Sequence, residues 1–331
     1  MQQTLSIVVP AFDVEDHLLE CLTSLADRDE VHEVIVVDDG STDGTLALAR
    51  AFAAAHPRIT VLSREHRGLS ATRNAGTALA QGEFLAFCDA DDRVPPGAYD
   101  HLLGALEASG SDFASGDVRR FDSGRVWAHP RYRDVFGATR HRTHITRDPA
   151  LILDRMSWNK VFRRSFWDRS GLGFELSEYE DGPVMIEAHL RAASVDVVSE
   201  VVYHWRVRES GPQSITQRLH EPSNAAARMT MAIETALVLQ RLAPELLQVL
   251  ALDIVHGDMR VVANAVQRTS GDAIGVAVAR ACDFLDLLPA GMLDGVSEED
   301  ALMVARLRRG DLAAIRSAAP GHDPTGRTPP R

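Results

Sequence analysis

Glu83-Phe84-Leu85-Ala86-Phe87-Cys88-Asp89-Ala90-Asp91-Asp92 is the stretch whose reading decides the fold. Its apolar run is too short for a helix and reads as a strand buried on both faces, with carboxylates at its carboxyl end. Upstream the same pattern repeats. Leu5-Ser6-Ile7-Val8-Val9-Pro10 is a strand stopped by proline, and Val14, Leu18, Leu19, Leu22 and Leu25 follow at helical spacing. Val34-Ile35-Val36-Val37 is a second strand ending in Asp38-Asp39-Gly40, after which Ser41-Thr42-Asp43 offers N-cap chemistry to a helix carrying Leu46, Leu48 and Ala49. Ile59–Leu62 reads as a third strand and Ser70–Leu79 as a helix. Strands that alternate with helices and are apolar throughout imply an α/β fold, a mainly parallel sheet flanked by helices.

Downstream the regularity fades. Asp112–Val118 and Val195–Val207 read as strands, with a helix from Val184 to Ala192 between them. After Pro222 the pattern is nearly all helical, with breaks near Pro244, Ser270 and Pro289, and Pro320–Arg331 reads as a disordered tail. Apolar stripes such as Met229, Ile233, Ala236 and Leu237 read as helix–helix packing.

The chain of 331 residues has a net charge of −12, which argues against nucleic acid as a partner. The charge is uneven. From Arg119 to Arg169 there are 13 Lys+Arg against 5 Asp+Glu, leaving 22 against 42 elsewhere, so this segment is suited to an anionic ligand or to a solvated basic surface. The start lacks the pattern of a signal peptide, and no apolar stretch is long enough to span a membrane, so a cytoplasmic location is expected. Cys21, Cys88 and Cys282 lie far apart and suggest neither a zinc site nor a disulfide framework.

In an open α/β sheet, ligands bind at the carboxyl ends of the strands. Three strand ends carry acids here: Pro10-Ala11-Phe12-Asp13, Asp38-Asp39 and Asp89-Ala90-Asp91-Asp92. Each alone fits an ordinary turn. Together their carboxylates repel and call for a shared cation, Mn²⁺ or Mg²⁺, able to bridge to a diphosphate. No GxGxxG follows the first strand and no GxxxxGK[ST] loop occurs, so a Gly-rich phosphate cradle is excluded.

Ser6–Phe12, Val36-Val37-Asp38-Asp39-Gly40-Ser41-Thr42-Asp43-Gly44-Thr45, Gly68-Leu69-Ser70-Ala71-Thr72-Arg73-Asn74-Ala75-Gly76 and Asp89-Ala90-Asp91-Asp92 resemble, in order and spacing, the inverting family-two glycosyltransferases of GT-A fold. The resemblance is specific over residues 4–110 and looser to about 218. It implies a nucleotide-sugar donor, with Pro10, Ala11 and Asp13 lining the nucleoside pocket and Asp39 accepting from the uracil imide. Arg67 and Arg73 would lie near the base or pyrophosphate, Asn74 near the base, Asp89-Ala90 at the ribose, and Asp91 on the metal. Asp181 of Glu180-Asp181 would be the general base and Glu180 would position a hydroxyl, although both also suit a helix N-terminus. His204 would complete the metal site, and a loop bearing Arg206, Arg208 and Ser214 would close over the diphosphate. Trp158-Asn159-Lys160-Val161-Phe162-Arg163-Arg164 is similar to a subset that includes wall-teichoic-acid glycosyltransferases and the transferase domains fused to glycerophosphotransferases; there Trp158 would stack under a sugar or serve as a core aromatic.

The expected organisation is a transferase domain over residues 1–221 (nucleotide-binding 1–118, acceptor and catalytic 119–221), a helical region over 222–318 and a tail over 319–331. The expected reaction moves a hexose or N-acetylhexosamine from a UDP-sugar to a hydroxyl with inversion. The expected acceptor is a glycan or phosphate-rich polymer of the cell envelope. Surplus apolar surface in the helical region would support a homo-oligomer or peripheral contact at the inner face of the membrane, although no basic amphipathic helix marks that membrane. Two other classes compete. A nucleotidyltransferase lacks its Gly-rich, Arg-containing loop after the first strand, and a non-catalytic sugar-nucleotide or polymer-binding module would not need Asp89, Asp91 and Asp181 together.

Overall fold

The computed structural model describes residues 4–26, 28–269 and 272–317, so the expected tail, 319–331, lies outside the described residues. The chain divides into two compact units, Met1–Glu209 and Ser210–Arg331.

In the first unit, strands β1 (Leu5–Ala11), β2 (Val31–Asp38), β3 (Ile59–Ser63) and β4 (Phe84–Phe87) alternate with helices α1 (Glu15–Leu25), α2 (Thr45–Ala55) and α3 (Leu69–Leu79). All seven residues of β1 are buried, which is the double coverage that its unbroken apolar run requires. The four strands are parallel in the order β3-β2-β1-β4, with Val8 level with Ile35 on one side and Phe87 on the other. This register brings Ala11, Asp38 and the end of β4 to one edge.

The chain continues through α4 (Ala98–Ser109), β5 (Phe113–Phe121), β6 (Val126–Ala128), α5 (Arg133–Phe136), β7 (Arg140–Thr143), β8 (Lys160–Arg163), α6 (Arg164–Ser170), α7 (Asp181–Arg191) and β9 (Val195–Arg206). The sheet extends in the order β4-β8-β5-β9-β7, with β6 paired to β5. Strand β8 runs antiparallel to both neighbours, whereas β5 and β9 are parallel, so the nine-stranded sheet is mixed beyond β4. The basic segment, irregular in sequence, thus supplies three short strands, one of which stitches β4 to β5.

Helix α2 is capped by more than its own preceding residues. Asp43 Oδ1 accepts from the Thr45 amide at 2.9 Å and Glu15 Oε2 from the Gly44 amide at 2.6 Å. In return, Thr45 Oγ1 accepts from the Val14 amide at 2.8 Å, tying the starts of α1 and α2 together. Cys21 and Cys88, distant in sequence, are buried with their sulfurs 3.8 Å apart as free thiols.

The second unit is helical: α8 (Pro222–Leu242), α9 (Leu247–His256), α10 (Asp258–Arg268), α11 (Gly275–Asp286), α12 (Glu298–Arg308) and α13 (Leu312–Arg316). Helix α8 packs on α10 and α11 through Met229, Ala232, Ala236 and Leu239, each fully buried. The inward stripe is therefore rotated from the one read in sequence, because Leu237 is exposed. Among the described residues no helix is long and apolar enough to cross a membrane.

Candidate active site

The carboxyl edge of β1, β2 and β4 gathers the acids read from sequence. Asp13 adopts a left-handed backbone (φ 46°), and its Oδ1 accepts from the Thr42 amide at 2.7 Å while its own amide donates to Ser41 Oγ at 3.1 Å. It thereby pins the loop after β2 to the end of β1. Asp39 is buried; its carboxylate accepts from the Arg67 and Gly68 amides at 3.0 and 2.7 Å and lies 2.9 Å from the His66 ring. Gly68 sits at φ 87°, a conformation that favours glycine and turns the amide toward Asp39. Pro10 and Ala11 are buried in the strand end, and the Ala11 carbonyl accepts from the Asp39 amide at 2.9 Å. The Arg67 side chain is exposed.

The centre of the site is a buried guanidinium. Arg73, 2% exposed, donates to Asp89 Oδ1 at 2.5 Å and pairs with Glu180, itself 2% exposed. Its guanidinium also lies over the Phe174 ring, 5.3 Å from the centroid. Arg73 was expected at the base or pyrophosphate. It is instead committed to two carboxylates, and so links the end of β4 to the start of α7. Glu180 correspondingly spends its charge on Arg73 rather than on a hydroxyl, being enclosed with it. Removing one partner of such a buried pair costs about 3–5 kcal/mol, because the other charge is left uncompensated.

Asn74 holds the main chain of Phe174 from both sides, donating to its carbonyl at 2.7 Å and accepting from its amide at 3.0 Å. Its amide group is thus an anchor for the loop before α7. Ser70 Oγ bonds the Leu176 carbonyl of the same loop.

Asp89 keeps part of its side chain open (29% exposed), and its amide donates to the Tyr203 hydroxyl at 3.0 Å. Its carboxyl titrates above the usual range, because burial outweighs the attraction of Arg73 and Asp91 repels its charge. Asp92 is buried, is raised further by burial and by Asp91 and Asp89, and accepts from the Arg206 amide at 2.7 Å. Asp91 faces Arg208, whose Nε and Nη2 both lie on its Oδ2, at 2.8 and 2.6 Å.

His204 does not share Asp91's surroundings. Side chains alternate along β9: Tyr203 turns to Asp89, whereas His204 Nδ1 accepts from Arg93 Nε at 3.3 Å and its ring lies near Phe121. Burial and the flanking Arg93 and Arg119 hold this imidazole below its ordinary pKa. His204 and Asp91, the expected ligand pair, thus rest on different partners, Arg93 and Arg208. Among the described residues no three His, Cys, Asp or Glu side chains converge as a metal-binding group. The chemistry still fits a cation that arrives with a diphosphate. Asp91 supplies hard oxygen, a guanidinium already stands as its positive partner, and Mg²⁺-type ions commonly take one protein carboxylate plus phosphate oxygens.

Arg206 is committed as well. It pairs with Glu20 of α1, donates to the Asp91 carbonyl at 2.5 Å and, like Arg93, lies over the Phe121 ring. Those contacts tie it to α1 and to the turn after β4. Ser214 belongs to the second unit, where its hydroxyl donates to Gln217 Oε1 at 3.0 Å. His17 and Glu20, on the face of α1 toward this cluster, were not singled out in the sequence. Their helical spacing from the end of β1 is the one signal that pointed to them.

Asp181 opens α7 and is half-buried. Its Oδ2 accepts from the Ser157 amide at 3.4 Å. Burial raises its pKa, with Asp89 adding to the rise while Arg73 and Lys160 oppose it. Trp158 is buried and stacked on Tyr203, centroids 4.2 Å apart, which makes it a core aromatic under the site.

An α/β domain of this topology, with an Asp-Ala-Asp sequence at the end of β4 and a facing carboxylate at a helix start, defines the class: a GT-A type domain. Residues 6–170 match the family model for glycosyl transferase family 2, and the chain carries a domain belonging to that family. It is 32% identical over 226 residues to a Bacillus subtilis protein named as the glycosyltransferase EpsH, an alignment covering 64% of this chain and 62% of that one. It is also 26% identical over 212 residues to the Staphylococcus aureus poly(ribitol-phosphate) beta-N-acetylglucosaminyltransferase TarS, covering 62% of this chain and 36% of TarS. The aligned region thus spans less than two thirds of either relative. In structure, TarS residues 1–349 in complex with UDP-GlcNAc superpose with a TM-score of 0.74 at 20% identity, covering 95% of this chain and 89% of that one. A Pyrobaculum calidifontis mannosyltransferase in complex with GDP-Man and Mn²⁺ gives 0.56 at 18% identity, covering 96% and 87%. At these identities the structural likeness is one of fold.

Proposed function

We propose that the protein transfers a hexose or N-acetylhexosamine from a UDP-sugar to a hydroxyl of a phosphate-rich polymer or glycan of the cell envelope, with inversion at the anomeric carbon. The observation that carries this reading is the tie that Arg73 makes between the end of β4 and the start of α7. Its guanidinium pairs with Asp89 and with Glu180, and Asp181, next in sequence, feels both Arg73 and Asp89. An inverting displacement needs a carboxylate to take the acceptor proton on the side opposite the leaving diphosphate. Asp181 suits the first task, being half-buried, unpaired with any arginine in hydrogen-bond contact among the described residues, and raised in pKa by its surroundings. Asp89 has an open side chain for a ribose hydroxyl, and Asp91 would hold Mn²⁺ or Mg²⁺ together with the diphosphate. That cation would offset the charge developing on the leaving group.

Asp13 and Asp39 shape the nucleoside end, Pro10 and Ala11 floor it, and Arg67 is exposed at its rim. Arg208 is the cation best placed to follow a diphosphate, since it already rests on Asp91. Arg73, Asn74 and Arg206 act one layer beneath, holding Asp89, the loop before α7 and the turn after β4. The UDP donor and the polymer acceptor are supported by TarS, named for transfer to poly(ribitol-phosphate) and crystallised with UDP-GlcNAc.

The test is release of UDP from a panel of UDP-sugars, with and without Mn²⁺, in the presence of teichoic acid or neutral glycan. Turnover of one donor, stimulated by the polymer, is expected. UDP-sugar binding without turnover under every condition would leave a binding module, and formation of a UDP-sugar from UTP would make the protein a nucleotidyltransferase.

A further inference from the structure

Beneath Asp181 lies a cluster of charge that the reaction above does not use. Lys160, first residue of β8, is fully buried, and so are Asp154 and His189. The Lys160 ammonium donates to Asp154 Oδ1 at 2.5 Å, to the Met156 carbonyl at 2.6 Å and to Asn159 Oδ1 at 2.9 Å. A lysine lined only by hydrocarbon would lose its proton. Here Asp154 keeps it paired, and Lys160 in turn holds the Asp154 carboxyl well below the usual carboxylate range. Asn159 adds a bond from its amide to the Gly116 carbonyl of β5 at 3.0 Å.

This cluster touches α7 at two places. His189, in its last turn, sits 3.4 Å from Asp154 Oδ2. The turn that Lys160 grips by its carbonyls leads directly into Ser157, whose amide reaches Asp181. A buried ion pair contributes little net stability compared with an apolar pair of the same size, so its placement behind the acid calls for another reason.

We propose that the buried Asp154–Lys160 pair is a positioning device for Asp181: it fixes the 154–157 turn so that the Ser157 amide meets the carboxylate, and it sets the Lys160 amino group behind it. The groups facing Asp181 are Arg73 from α3, Asp89 from the end of β4, Lys160 from β8 and the Ser157 amide. Arg73, Ser157 and Lys160 favour the ionised form, against burial and Asp89. The bearing on catalysis rests on Asp181 serving as the base. The coupling itself is read in the titration of its carboxyl, which a protein that transfers nothing would still display.

The experiment is ¹³C-carboxyl NMR of aspartate-labelled protein, with the Asp181 signal identified by its loss in D181N. The variants are K160M and the charge-neutral double variant D154N/K160M, which leaves no buried charge unpaired. In K160M the Asp181 midpoint is expected to move up, by at most on the order of one pH unit, the effect of removing one nearby charge in a protein interior. The double variant removes both signs of charge together and reads the turn instead: Ser157 amide exchange should accelerate in it. An Asp181 midpoint unmoved in folded K160M, or Ser157 exchange unchanged in the folded double variant, overturns the proposal. D181A removes the acceptor and requires no change in the core. Hydrogen exchange at the Ser157 amide should accelerate in D181A relative to wild type, and unchanged exchange there likewise rejects the coupling.

Discussion

Asp181 carries a cost that can be measured without any substrate. Its folded pKa is raised, so the folded state holds the proton more tightly than the unfolded chain does. Its contribution to stability is therefore full below the unfolded value of about 3.9 and is lost as pH rises through the folded value. At pH 7 the variant D181N should melt at a higher temperature than wild type, and the gain should vanish near pH 4. Calorimetry at the two pH values checks both halves of that statement. Arg208 supports a second prediction at this scale. Because its guanidinium occupies Asp91, R208A should bind Mn²⁺ more tightly than wild type in the absence of nucleotide, read by electron paramagnetic resonance of free Mn²⁺, and should bind UDP more weakly. The acids of this site were legible in sequence because they end apolar strands. What escaped was partnership. Nothing local marks Glu180 as the mate of Arg73, or Phe174 as the mate of Asn74, since those contacts are made only when α3 meets the loop before α7. The alternation of side chains along β9 does explain why Tyr203 reaches Asp89 and His204 does not.

At the scale of elements, α3 is the part that positions the centre of the site, and its close approach to the sheet depends on one glycine. A Cβ on Gly76 would stand 2.3 Å from Val8 Cγ1 of β1 and 3.2 Å from Val37 Cγ2 of β2. G76A must push α3 outward and carry Arg73 away from Asp89. A loss of about 1–3 kcal/mol is expected from overpacking, visible as a lower urea midpoint, together with a rise in KM for the donor. The parallel half of the sheet could be read from sequence because each strand is an unbroken apolar run. Strand β8 could not. Lys160-Val161-Phe162-Arg163 begins and ends in charge, and its lysine looks like a solvated residue until Asp154 is found beside it. The α8 stripe was misread by part of a turn for a related reason, because Met, Ile and Leu occur around most of that helix and only packing selects a face.

For the whole molecule, the division between Glu209 and Ser210 falls in a stretch without regular secondary structure, ahead of the α8 start at Pro222. Each unit has its own apolar core, so limited proteolysis should cut first within residues 207–221 and release two fragments that resist further digestion. Mass spectrometry of the products checks this, and initial cleavage inside either core would count against two independently packed units. Sequence placed that boundary at 221 because the pattern from Pro222 onward is nearly all helical, whereas compactness ends some residues earlier. The proposed activity depends most on Asp181 acting in the chemical step rather than in binding. The decisive measurement is therefore UDP-sugar turnover and UDP affinity, determined side by side for wild type and D181N. Loss of a general base should lower turnover by roughly 10²–10⁴-fold while UDP affinity stays close to that of wild type. Equal turnover in the two proteins would contradict the assignment of Asp181 as the base.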